Sequence, residues 1–414
     1  MSTSGRIEFF KHTLGDEEAA SWRQVLETVF LTLGPQVAAF EKELGEFLLR
    51  GRSQDESLAR ARHVVGTNSC TNGLLVALKA LGLEPGDEVI TTPMTFVATT
   101  NAIMHLGGRP VLADVDPQTG LLDPEAVRAA VGPRTVGILP VHLCGQMADM
   151  RAFRAIADAH KLFLLEDSAH GIECERDGVR PGDLGDAAVF SFYATKTVTS
   201  GDGGAIVTKD SMLADRMRRL RNHGVSKAAT DRHGGEYQHW DLVELGFKAN
   251  LTDLDAAILR PQLPRALAQR QARQANDDHY RALLPELTPS LFDGLFSRLF
   301  TGPLTAVAGG QTAAVPPLFA RVGTSSHHLF TVHVPAEKRD AVLTGMGARG
   351  VGVAVNYRAI HTLSYLAHTL RIPRGSLPHA EAIGDRTVSL PQYPGLTESE
   401  RIRVMQLLEE TLRA

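Results

Sequence analysis

The chain is short of several things that would set its class at once. Cysteine is the first: Cys70, Cys144 and Cys174 are odd in number and far apart. That excludes a disulfide framework and a zinc ribbon, and no metal site is expected. No apolar run approaches the ~20 residues that span a bilayer. The opening MSTSGRIEFFKHTLGDEE lacks the apolar core of a signal peptide, so a cytoplasmic protein away from membranes is expected. A formal net charge of -4 leaves no basic footprint for nucleic acid. Internal repeats and low-complexity tracts are missing too. What remains is 414 residues, 43% hydrophobic and 22% charged, an ordinary globular composition long enough for a large domain and a smaller one.

The informative stretch is Ala187 to Thr208, AAVFSFYATKTVTSGDGGAIVT. Val189, Phe190 and Phe192 read as one short strand and Ala205, Ile206 and Val207 as another. Lys196 lies in the connection between them. A lysine in a loop is ordinarily a solvated charge. A second feature changes its meaning: the apolar run Leu162 to Leu165 ends in Glu166-Asp167-Ser168-Ala169-His170. A continuous apolar strand followed by an acid is the pattern of a buried parallel strand that delivers a carboxylate to the crevice at its carboxyl end. A buried carboxylate requires a cationic partner. A protonated pyridine nitrogen held by Asp167, with the ring's aldehyde condensed on Lys196, describes pyridoxal 5'-phosphate. A phosphate cradle fits Val64 to Gly73, where a strand gives way to small and hydroxylated residues that open an amphipathic helix through Leu74, Leu75, Leu78 and Leu81.

Around these residues, strands and helices alternate from Val64 to Leu165, which argues for a parallel sheet covered by helices, with His142, Asp167 and Lys196 at strand ends. A helix is expected through Trp22, Val25, Leu26, Val29 and Phe30, and a second over Val37 to Leu49. Val225 to Val243 reads as an exposed loop. The helix opening at Thr252 meets Pro261 and Pro264 and is expected to break there. Phe292 to Thr324 shows little periodicity and reads as a long loop. Beyond it are expected a strand at Leu329 to Val334, a helix at Glu337 to Met346, a strand at Val351 to Tyr357 and a last helix capped by Thr397 and Glu400. His328, at the start of a strand, would ordinarily be structural.

The motifs GTNSCTNGL, DEVITTPMTFVAT, PVHLCGQMADM, EDSAHG, SFYATKTVTSGDGGAIVT, LGFKANLTDLDAA and LPQYPGLTESE follow one another in order. From about Gly34 to the C-terminus this sequence resembles the sugar aminotransferases of the DegT/DnrJ/EryC1/StrS family. The resemblance implies an α/β protein of the fold-type I pyridoxal-phosphate class, with a mostly parallel sheet between helices and a smaller C-terminal α/β domain. The divisions are residues 1–33 as an arm and helix, 34–264 as the cofactor-binding domain, and 265–414 as a linking helix and small domain. It also implies transfer of an amino group from an amino acid, L-glutamate, to a keto group of a nucleotide-linked sugar. Lys196 and Asp167 are the implied catalytic pair. Cys70, Thr71 and Ser191 are placed at the phosphate, Phe96 against the ring face and His170 at the ring hydroxyl. His328, Tyr357 and Arg232 fall on the substrate side. Relatives form homodimers with shared active sites. Many place an asparagine and then an arginine where this chain has Lys248 and Asn250, and Asn250 is read as the donor to the partner's phosphate. The wording around Lys248 to Asp253 and from Gly352 to His361 is closer to relatives acting on 4-keto sugars. A 3-keto-sugar or keto-cyclitol aminotransferase, and a cofactor-binding regulator without turnover, stay open beside that reading. A dehydratase on the same scaffold would carry histidine in place of Lys196.

Overall fold

The computed structural model describes residues 5–53, 62–226, 239–287, 304–308, 311–315 and 318–414. Its centre is a seven-stranded sheet of β1 (His63–Thr67), β2 (Glu88–Thr91), β3 (Arg109–Leu112), β4 (Thr135–Leu139), β5 (Phe163–Asp167), β6 (Ala187–Ser191) and β7 (Gly204–Thr208). In space the order is β1-β7-β6-β5-β4-β2-β3. β3, β2, β4, β5 and β6 are parallel, while β7 runs antiparallel to both β6 and β1. The antiparallel β7 departs from simple alternation because no helix separates it from β6. The Lys196 loop alone makes the turn.

The apolar strand residues are buried on both faces, as a helix-covered sheet demands. On one face Leu165 and Ile206 pack with Leu74, Leu78 and Met217, from the helices Cys70–Ala80 and Ser211–Leu220. On the other, Leu164 and Ile138 meet Phe153 and Ile156 of the helix Met150–His160, while Phe190 and Val207 meet Phe40 and Leu44 of the helix Pro35–Leu48. Leu164 and Leu165 therefore look to opposite sides, and the period-two rule sends Glu166 with the first and Asp167 with the second.

After the helix Asp253–Leu259 the prolines impose a 3-10 segment, Arg260–Arg265, before the long helix Ala266–Leu287. β8 (Leu304–Ala308) and β9 (Gln311–Val315) form an antiparallel hairpin inside the stretch expected to be a loop, where alternating small residues gave no apolar period. β10 (Phe330–His333) pairs antiparallel with β11 (Thr387–Leu390). Over them lie Val342 and Met346 of the helix Arg339–Ala348, Leu408 of the helix Glu398–Arg413, and Tyr280. Thr397 and Glu400 make the expected capping box. The short helices Ser364–Leu370 and Pro378–Gly384 carry no strong sequence signal.

Two expectations fail. The first helix is Asp16–Val25, an earlier span, and Val29 is 86% exposed; acidic residues in its first turn hold the helix there. Val351 to Tyr357 is not a strand: Val351 bridges Ile7 and Ala354 bridges Ser389, and no ladder forms between them.

Candidate active site

Asp167 closes β5 and is buried. Its Oδ1 accepts the Ala169 N–H at 3.1 Å and its Oδ2 accepts the Thr99 hydroxyl at 2.8 Å. Both donors are neutral. Burial pushes its carboxyl above the ordinary carboxylate value, while those two hydrogen bonds and the charge of Lys196 pull it back. Among the described residues no ion pair reaches this buried acid.

Lys196 sits in the tight connection from β6 to β7. Its N–H donates to the Tyr193 carbonyl at 2.8 Å, and the residues after it are tied down: Thr197 Oγ1 to Glu173 Oε2 at 3.4 Å and Thr199 N–H to Gln262 Oε1 at 3.0 Å. Glu173 in turn pairs with Arg273 at 2.8 Å in full burial. Burial lowers the Lys196 ammonium to about 8, with Cys70, Asp167 and Cys144 opposing. Lys196 and Asp167 are thus near enough for each charge to act on the other's protonation. His142, expected at the same crevice, is committed elsewhere. Its Nδ1 accepts the Ala148 N–H at 3.2 Å, so its Nε2 carries the proton and donates to Glu166 at 2.9 Å.

The phosphate cradle is the N-terminus of the helix Cys70–Ala80. Ser69 caps it by accepting the Asn72 N–H at 3.1 Å. That leaves the first-turn N–H groups of Cys70 and Thr71 without an intrahelical acceptor, in the positive end of the helix dipole. β7 begins against this turn: a Cβ on Gly204 would stand 2.6 Å from Cys70 N, so only glycine fits. Ser191, which ends β6, pairs with Gly204 across the ladder, so its hydroxyl rises at the same rim.

Over the crevice lie four rings. His170 Nδ1 accepts the Cys144 N–H at 3.3 Å, leaving its Nε2 3.2 Å from the Tyr357 hydroxyl. The His170 and His328 rings are 4.4 Å apart, and burial with the nearby Lys196 charge holds both well below the usual histidine range. Phe96 and Tyr357 are 6.1 Å apart at 45°, and Phe96 is 59% exposed.

Asn250 is buried on the strand-like stretch after Lys248, bridging to Thr67. With its amide turned to satisfy both groups, it donates to the Arg221 carbonyl at 2.7 Å and accepts from Lys248 Nζ at 3.1 Å. Its side chain is therefore engaged within its own chain, while Lys248 is exposed. Arg232 lies outside the described residues. Sequence reasoning had no role for Thr99 or Cys144, although both stand inside the quoted motifs; each acts through a residue far away in the chain. Nor had it one for the Glu173–Arg273 pair, whose members are 100 positions apart.

The donor set suits pyridoxal phosphate. It offers a buried carboxylate bonded by neutral donors only, a lysine of lowered basicity, a helix start facing a crevice, and a buried Ser168 hydroxyl without a partner among the described residues. Among those residues no group of acids, histidines and cysteines is arranged to hold a metal ion.

A model of the DegT/DnrJ/EryC1/StrS aminotransferase family matches residues 12–293 and 297–409. The spore coat polysaccharide biosynthesis protein SpsC of Bacillus subtilis (strain 168) is 34% identical over 406 residues, which is 97% of this chain and 95% of that protein. Among solved structures, DesV of S. venezuelae is 31% identical, with a TM-score of 0.80 over 99% of this chain and 100% of its own. NtdA of Bacillus subtilis, solved with bound cofactor PMP, is 28% identical, with a TM-score of 0.79 over 99% of this chain and 86% of its own. The chain belongs to the DegT/DnrJ/EryC1/StrS aminotransferase family and is a pyridoxal-phosphate-dependent sugar aminotransferase.

Proposed function

We propose that this enzyme transfers the amino group of L-glutamate to the keto carbon of a nucleotide-linked sugar, at C4 in preference to C3. The observation that carries the chemistry is the pairing of a half-buried amine in the β6–β7 connection with a buried carboxylate at the end of β5, both within electrostatic reach of Cys70 at one helix N-terminus. The preference for C4 rests on the sequence from Lys248 to Asp253 and from Gly352 to His361. SpsC, named for polysaccharide biosynthesis, is in keeping with a saccharide substrate.

When bound, pyridoxal phosphate supplies an electron sink for the charge that develops at the substrate carbon. The chain's own residues do the rest. Lys196 holds the cofactor and afterwards moves the proton between the two exchanging carbons, a task for a neutral amine, which its burial favours. Asp167 keeps a proton on the ring nitrogen. The N–H groups of Cys70 and Thr71 and the Ser191 hydroxyl bind the phosphate, and Phe96 covers one ring face. The proton on His170 Nε2 is the donor toward the ring hydroxyl, with the Tyr357 hydroxyl beside it. His328, Tyr357 and Arg232 meet the substrate.

The working unit is a homodimer with shared sites. Large exposed apolar side chains support this, among them Val29 at 86% and Leu245 at 83%, as does the exposed Lys248 ammonium held by Asn250. In this reading Asn250 and Lys248 act together on the phosphate in the neighbouring subunit. Residues 1–33 serve as arm and helix, 34–264 as the cofactor-binding domain and 265–414 as linking helix and small domain. A cytoplasmic location accords with the nucleotide-linked substrate; among the described residues no helix is long and apolar enough to cross a membrane.

The test is amination by the purified holoenzyme with L-glutamate, run on nucleotide-linked 4-keto and 3-keto sugars and on a keto-cyclitol, with products identified by mass and NMR. Amination at C4 is expected. Amination only of the 3-keto sugar or the cyclitol overturns the substrate assignment, and cofactor binding without any turnover favours a regulator.

A further inference from the structure

Thr99 stands in the first turn of the helix Ala98–His105 and is wholly buried. Its hydroxyl oxygen lies 2.8 Å from Asp167 Oδ2, 2.7 Å from Thr95 Oγ1 and 3.2 Å from the Phe96 carbonyl. A hydroxyl has one proton to give, and an ionised carboxylate only accepts. With Asp167 ionised, the proton order is therefore fixed: Thr95 donates to Thr99, and Thr99 donates to Asp167 over the shorter, charge-assisted bond. With Asp167 protonated on Oδ2 the acid donates to Thr99 instead, the Thr99 proton passes to Thr95 or to the Phe96 carbonyl, and the charge-assisted bond is lost. Among the described residues the other titratable groups in electrostatic reach of Asp167 are Lys196, His142, Cys70 and Tyr357.

We propose that Thr99 is a positioning residue of the reaction: its hydroxyl, backed by Thr95, keeps the Asp167 carboxylate ionised despite its burial, and through it keeps the cofactor's ring nitrogen protonated. The same two hydroxyls brace the turn that carries Phe96, so the acid at the ring edge and the aromatic at the ring face share one support. This inference rests on Asp167 as the partner of the ring nitrogen.

The experiment uses the full-length apoenzyme and its Thr99→Val, Thr99→Ser, Thr95→Val and Asp167→Asn variants, titrated with 15N-labelled pyridoxal phosphate. It reads affinity and the 15N resonance of the bound ring. Loss of a hydrogen bond to a charged group weakens binding by about tenfold in Thr99→Val. Its 15N resonance moves toward that of an unprotonated pyridine, Thr99→Ser restores both readouts, and Thr95→Val shifts them in the same direction by less. If Asp167→Asn moves both readouts while Thr99→Val leaves them at the wild-type values, the role of Thr99 is overturned and that of Asp167 stands. If Asp167→Asn also leaves them unmoved, the reading of Asp167 falls and this inference falls with it. Should Thr99→Val not fold, Thr95→Val carries the test, and a resonance identical to wild type overturns the proposal.

Discussion

Glu166 and Asp167 are neighbours on one strand, both buried, both carboxylates, and they face opposite sides of the sheet. Glu166 is fully provided for. Its Oε2 takes the His142 proton at 2.9 Å, and its Oε1 takes the N–H groups of Gly182 and Gly185 at 3.0 and 2.8 Å. Asp167 has two neutral donors and an adjacent lysine. A buried acid whose oxygens are taken up by three donors of the fold is a structural part; one with two donors and an amine beside it at a crevice is a place for something else. Burial alone does not separate the two, because both side chains are dry. The inventory of donors does.

That contrast can be broken by substitution. Lys196→Ala, which empties the amine position opposite Asp167, is expected to cost on the order of 10⁴-fold in kcat/KM, read from steady-state amination. Asp167→Asn should lose about 10²- to 10³-fold in kcat with the urea midpoint of the apoenzyme nearly unchanged, since the amide can keep the bonds to Ala169 and Thr99 and only the negative charge facing the ring nitrogen is removed. Glu166→Gln should do the reverse. Its amide must point a donor at either the His142 proton or the two glycine N–H groups, at about 2–3 kcal/mol of stability in urea unfolding, with kcat per folded molecule nearly intact. Equal activity losses in both variants would erase the distinction between the two faces.

A pH experiment sharpens the same contrast on the lysine side. The free Lys196 amine, held near 8, is neutral above that value and protonated below it. The rate at which the apoenzyme takes up pyridoxal phosphate should therefore climb as pH rises through about 8 and level off above it. A rate still rising toward pH 10 would mean an amine as basic as a solvated one. The smallest effect is expected from Phe96→Ala: a ring contact is worth about 0.5–1.5 kcal/mol, so cofactor affinity should fall roughly threefold to tenfold.

Much of this arrangement was legible in the sequence, and the limits have physical causes. An apolar run that ends in an acid locates Asp167 because strand period and burial are local properties. The paired glycines before Ala205 mark the close approach of β7 to the cradle. Thr99 and His142 were legible as residues but not as partners, since they reach Asp167 and Glu166 from 68 and 24 positions away. The reversal of β7 has no signature of its own, because an antiparallel strand buried on both faces reads like a parallel one. Val351 to Tyr357 has the composition of a strand, and its chain turns away after isolated bridges; β-propensity does not supply a neighbour to pair with.

The pairing of β5 with β6 sets Asp167 opposite Val189 and Glu166 opposite Ala188. A slip of one residue would send every side chain of β5 to the other face, offering Glu166 to the cofactor and pressing Asp167, one methylene shorter, against His142 and the two glycines. The chain thus carries its own proofreader. The acid that never meets substrate admits a single alignment of its strand, and with it the identity of the acid that does.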